Sequence, residues 1–186
     1  MKKLALVFTI LVSGFLFTTH ALASSIGFAG IYDPSNWTTT NTNSNGYVNT
    51  SGVPDSIQIV GSDNGSWSAG DTDYTITSPE NGMVSFDWSF TTTDWSALYD
   101  PFGYFFNDVF VQLTDDNLIN QSGGSNFTVS AGDVFGFRIH SIDNIYGPGV
   151  VEISDFNAPV PEPGTLFLLG SGLLGLAGST RRKFKK

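Results

Sequence analysis

The chain reads as an all-β protein, a β-sandwich of jelly-roll type, framed by an N-terminal signal peptide and one short C-terminal transmembrane helix. Three observations predict this. Between Ser24 and Ala158 the sequence is rich in Gly, Ser, Thr, Asn and Asp, with short aromatic and β-branched bursts set among them, the pattern of many strands joined by turns. The clearest bursts alternate in period two, so each has one apolar and one polar face. No 3.6-residue periodicity occurs outside the two termini, and eight or more short strands without helices favour a sandwich over a closed barrel.

The elements follow in chain order. Met1-Lys2-Lys3 is a basic n-region, Leu4 to Phe17 is mostly apolar, and Ala21-Leu22-Ala23 places small residues at the two positions a signal peptidase reads, so residues 1–23 are expected to be removed on export. The alternative is a short anchor retained in the mature protein. "IGFAGI" is a plausible first strand of the domain at 24–158. The stretch from Asn36 to Gly52 is dominated by Thr and Asn and has little apolar surface to offset ordering entropy, which predicts long loops or an irregular first edge.

"DSIQIV" turns Ile57 and Ile59 inward, "YTIT" is a further strand, and "MVSFDWSF" puts Val84, Phe86, Trp88 and Phe90 on one face. "GYFFNDVFVQL" is a hairpin around Asn107-Asp108, residues that tolerate positive φ. "NFTV", "DVFGFRIH" (Phe135, Phe137 and Ile139 inward) and "VVEISDF" (Val151 and Ile153 inward) complete the set.

Charge narrows the function classes. The 186-residue chain carries a formal charge of −9, and Arg138 is the single Lys or Arg between Lys3 and Arg181. A domain with one cation cannot neutralise phosphates, so nucleic acid is excluded as a partner. Cations or neutral polymers fit better. With no cysteine, the exported domain is held by its core and not by disulfides.

Catalytic parts are few, and the chain is expected not to be an enzyme. His140 is the single histidine of the exported part, on the outward face of its strand with Arg138. That leaves no zinc ligand set and no obvious Ser/His/Asp site. Two binding readings stay open. Asp63, Asp71 and Asp73 in "GSDNGSWSAGDTD" and Asp115 and Asp116 in "LTDDN" could gather hard oxygen ligands for calcium, although Asp in turns commonly caps its own backbone; no other cofactor is expected. Trp37, Trp67 and Trp95 lie in polar loops where exposed indoles can stack on sugars, whereas Trp88 belongs to the core.

The C-terminus is distinct. Pro161, Glu162 and Pro163 precede a Gly- and Leu-rich segment over about 165–180 and a basic end that includes Arg181, Arg182 and Lys183. As a helix the segment reaches about 24 Å against a hydrocarbon core of about 30 Å, marginal for a permanent anchor. The basic end should stay cytoplasmic, leaving the acidic domain outside. "VPEPGTLFLLGSGLLGLAGSTRRKFKK", Val160 to Lys186 within the C-terminal unit 159–186, resembles the PEP-CTERM sorting signal of Gram-negative bacteria, with Pro-Glu-Pro motif, helix and basic end in order. The resemblance implies recognition by an exosortase, membrane attachment by the C-terminal helix before processing, and placement at the surface or in a matrix beside extracellular polysaccharide. A plain anchor that is never cut is the alternative.

The stretches "VSFDWSFTTTDW", "YDPFGYFFND" and "QSGGSNFTVSAGDVFGFRIHSIDNIYGPGVVEISDF" are similar to ectodomains often joined to this signal, which implies the sandwich and no catalytic residue. The expectation is an exported structural or adhesive surface or extracellular-matrix protein. A carbohydrate- or calcium-binding module comes second and a secreted hydrolase third.

Overall fold

Ten strands account for half of residues 26–161, which together with 169–174 are the residues the computed structural model describes. They are β1 (Thr38–Thr42), β2 (Tyr47–Asn49), β3 (Ser56–Val60), β4 (Gly70–Thr77), β5 (Gly82–Thr92), β6 (Phe102–Phe106), β7 (Val109–Gln112), β8 (Asn120–Val129), β9 (Val134–Ser141) and β10 (Gly149–Asn157). Two antiparallel five-stranded sheets result, β1-β4-β9-β6-β7 and β2-β3-β10-β5-β8. Within them β4-β9-β6-β7 faces β3-β10-β5-β8, the strand order of an eight-stranded jelly roll. The additional strands β1 and β2 lengthen one edge of each sheet.

The period-two pattern explains the core. Along β5 Val84, Phe86, Trp88 and Phe90 are buried while their neighbours are more exposed, and β9 buries Phe135, Phe137 and Ile139. Aromatic pairs bridge the sheets: Phe86 meets Phe137 edge-on at 4.9 Å, Trp88 lies 5.6 Å from Phe102, and Tyr104 stacks on Phe127 at 4.4 Å. Asn107 and Asp108, with φ of 43° and 66°, form the two-residue turn between β6 and β7, the mirror-image turn that matches strand twist.

One expectation needs correction and two are sharpened. "IGFAGI" is not a strand: Gly27 and Gly30 take φ of 57° and 59°, and the segment runs into a 3-10 turn at Gly30–Tyr32 that drops Phe28 and Tyr32 into the core. The Thr/Asn-rich stretch does supply an edge of each sheet, but as the regular strands β1 and β2, whose backbones pair with β4 and β3. "NFTV" is a strand as expected, and forms the end of a ten-residue β8 paired with β5 along its whole length.

The connections sort into two poles. At one, the β1–β2, β3–β4, β5–β6, β7–β8 and β9–β10 loops meet: the Asn144 carbonyl accepts from the Gly65 amide, Tyr99 from Ile142 and Asp116 from Leu98. At the other, Gly27 bonds Phe156, Phe28 bonds Pro54, and Ser78 and Asp133 join the β4–β5 and β8–β9 turns. The chain leaves β10 there, and the Tyr32 hydroxyl donates to the Pro159 carbonyl at 2.7 Å. A nine-residue strand such as β10 separates the poles by about 30 Å.

Pro161 is exposed at this exit. Glu162, Pro163, the basic end and residues 1–23 lie outside the described residues. Residues 169–174 are helical, and no helix among the described residues is long and apolar enough to cross a membrane.

Candidate functional site

The pole opposite the chain's exit at Pro159 is built from three polar loops, 61–69, 93–101 and 142–148. Thr92, the last residue of β5, organises the middle one: its hydroxyl accepts from the Asp94 amide at 3.0 Å and donates to Asp100 Oδ2 at 2.9 Å. Asp94 Oδ1 in turn accepts from the Trp95 amide at 2.6 Å. This short relay holds Asp94 inward and Trp95 outward. Asn144 fastens the other loops, donating to the carbonyls of Asn43 at 3.0 Å and Ser68 at 2.6 Å.

The backbone here is unusual. Trp67 and Tyr146 adopt φ of 55° and 69°, a region that bulky residues occupy only when their surroundings compel it, while Asn144, a type that tolerates it, has φ of 59°. Gly147 is required at its position, since a Cβ would lie 1.9 Å from Thr93 Oγ1. The outcome is a rim of displayed rings: Trp67, Trp95 and Tyr146 are 70%, 85% and 62% exposed. Trp67 meets Tyr146 edge-on at 6.1 Å. Trp95, Tyr99 and Tyr146, with Asp94 and Asp143, line a pocket of about 300 Å³.

Asp94 of this pocket, and Asp100 and Asn144 elsewhere in the same loops, are electronegative and incompletely satisfied. Asp94, Asp100 and Asn144 are 4%, 1% and 0% exposed, yet Asp94 Oδ2, Asp100 Oδ1 and Asn144 Oδ1 have no hydrogen-bond partner. Buried acceptors of this kind are uncommon and costly. Burial pushes the Asp100 carboxyl up to about 7, against the opposing hydroxyls of Thr92 and Ser141. Asp94 is also raised, first by burial and then by the charges of Asp143 and Asp63.

The domain's single guanidinium is engaged elsewhere. On the outer face of the β4–β9 pair Arg138 makes a two-pronged contact with Asp73 at 2.6 and 2.7 Å, approaches Asp71 at 3.7 Å and lies over the Phe105 ring at 4.8 Å. His140 Nδ1 is 2.6 Å from Asp71.

These placements divide the residues singled out from sequence. Trp37 is a correction: it is 7% exposed, stacked on Tyr74 at 4.7 Å with its indole donating to the Tyr32 carbonyl at 3.0 Å, and cannot meet a glycan. The cue was local, because Asp33-Pro34-Ser35 forms a capped 3-10 turn that carries the next ring back over the core. Trp67 and Trp95 share one pole as displayed rings.

The five aspartates considered for calcium are not brought together. Asp71 and Asp73 serve Arg138 and His140, Asp115 caps Asn117, Asp116 accepts from Gln112 at 2.6 Å, and Asp63 sits in the 61–69 loop. Among the described residues no group of three or more His, Cys, Asp or Glu is arranged to hold a metal ion. Sequence reasoning missed Asp94, Asp143, Asn144, Tyr99 and Tyr146; the signal was the repeated Asp-aromatic composition of "TDWSALYD" and "IDNIYG".

The fold defines an all-β jelly-roll sandwich with a loop-borne site. Among solved structures the chain is similar to a family 35 carbohydrate binding module from Clostridium thermocellum, at 9% identity over 63% of this chain and 96% of that one, with a TM-score of 0.33. It is also similar to CBM35 from Paenibacillus barcinonensis (14% identity, 68% and 95% covered, TM-score 0.35) and to the secreted serine protease VesC from Vibrio cholerae (13% identity, 69% and 26% covered, TM-score 0.40). No curated protein matches. The family model of the PEP-CTERM protein-sorting motif matches residues 159–183. The chain carries a PEP-CTERM sorting signal and is an exported, cell-surface-directed protein.

Proposed function

We propose that the sandwich is a non-catalytic adhesive module of the cell surface or extracellular matrix, sorted by exosortase and binding polysaccharide through the loop pole. The observation that carries this reading is the display of Trp67, Trp95 and Tyr146 on the pole opposite the chain's exit at Pro159. Solvent-facing indoles cost hydrophobic free energy and bind the faces of sugar rings well. A module tethered at one end and adhesive at the other suits a surface or matrix component.

The non-catalytic part of the reading draws on His140, which is paired with Asp71 on the sheet face and belongs to neither the pocket nor its acids. Calcium remains a separate arm of the test, because the five aspartates are dispersed.

The test is a glycan array probed with the full chain, purified in detergent, beside its Trp95→Ala and Trp67→Ala variants, with and without calcium. Binding by the parent that falls about tenfold in either variant supports the reading, that factor being one lost ring contact of about 1.4 kcal/mol. Binding unaffected by both substitutions places recognition elsewhere and removes it.

A further inference from the structure

We infer that the pocket between Trp95, Tyr99 and Tyr146 recognises a protonated amine, and that the polysaccharide bound is one bearing free amino sugars. The inference rests on the glycan-binding reading and adds the charge of the ligand. It begins with the chemistry of the walls. Three aromatic rings and two carboxyl side chains, Asp94 and Asp143, surround about 300 Å³. Ring faces attract cations through their quadrupole, and an aromatic enclosure is the recurring solution for ammonium groups.

The second observation is independent of the rings. Asp94 is more than nine-tenths buried, lines this pocket and keeps Oδ2 without a partner. Its other oxygen is occupied by the Trp95 amide, which fixes the carboxyl in place. The unpaired oxygen lies just beneath the pocket wall, and an ammonium seated against that wall compensates its charge, which is felt strongly where water is excluded. A neutral hydroxyl would not compensate that charge.

Charge selects the ligand further. Asp63, Asp94, Asp100 and Asp143 lie on the three loops of this pole and the loops hold no Lys or Arg. The domain's one guanidinium is committed to Asp73 and Asp71 on the sheet face. A uronate or sulfated sugar would meet uncompensated repulsion, whereas an amine-bearing chain relieves it. The dimensions agree as well: the pocket is small and leads to the Trp67–Tyr146 rim, so one amino sugar can enter while its neighbours stack outside.

The experiment is calorimetric titration of the full chain, purified in detergent, with three oligosaccharide series of equal length: glucosamine, N-acetylglucosamine and glucose oligomers, at a pH that keeps the amine protonated. The expected result is binding of the glucosamine series at least about tenfold tighter than the other two, weakening as salt rises. Asp94→Asn, which keeps the shape, should erase that preference, and Trp95→Ala, a change at an exposed ring, should weaken all binding.

Equal affinity for the three series overturns the charge inference and leaves the glycan reading intact. No binding to any series, with the array also blank, removes both. Binding that appears only with added calcium overturns the amine assignment in favour of a metal-bridged ligand.

Discussion

Trp37 is buried because the turn before it carries its ring back over the core. Trp37, Trp67 and Trp95 all stand in Ser-, Thr- and Asn-rich surroundings, yet the first is inside the core while the other two are outside. The capped turn at Asp33-Pro34-Ser35 accounts for the difference. Trp37→Ala is therefore expected to cost about 3–5 kcal/mol, and Trp95→Ala to stay within about 0.5 kcal/mol, both read from urea unfolding. A second contrast concerns Asp100, whose carboxyl burial raises to about 7. Its folded pKa exceeds the unfolded value, so its contribution to stability is fully present below about pH 4 and is lost as pH rises to about 7, by up to about 4 kcal/mol. Asp94 and Asp143 face it and act in the same sense. Asp100→Asn should flatten the stability profile across that window, which thermal melts at successive pH values would check.

Elements were legible where the apolar alternation was long. β5, β9 and β10 are visible in the sequence because one face of each is continuously apolar, and the β6–β7 hairpin because Asn107-Asp108 suits positive φ. The first part of β8 was not, since "NQSGGS" lacks both alternation and branched residues. Its partner explains why: Gly123 pairs with Trp88, and a Cβ on Gly123 would come within 3.1 Å of the indole. The strand is glycine-rich to make room for a ring on its neighbour. Gly123→Val should thus lower stability by about 1–3 kcal/mol through overpacking, despite the better strand propensity of valine, with the urea midpoint as the measure. The loop-pole site was invisible for a related reason, in that its residues come from three connections that only the jelly-roll order brings together.

At the scale of the whole molecule the two poles of the sandwich differ in what they carry. The sorting signal leaves the sandwich at Pro159, held by Tyr32, while the aromatic rim occupies the far pole. A domain retained at the surface through its tail would face its rings outward and shield the pole where Ile31 lies. The absence of cysteine makes this directly testable, because any thiol introduced is unique. Trp95→Cys and Ile31→Cys replace side chains 85% and 41% exposed, so a membrane-impermeant maleimide should label both in the purified protein. On intact cells the rim variant should label strongly and the tail-pole variant at least several-fold less, scaled to the purified rates. Equal labelling on cells would mean that the domain is released from its tail and held in the matrix without a fixed orientation. Glu162→Ala separates the two cases, since a chain that exosortase no longer recognises stays attached, and its intact mass should then extend through Lys186.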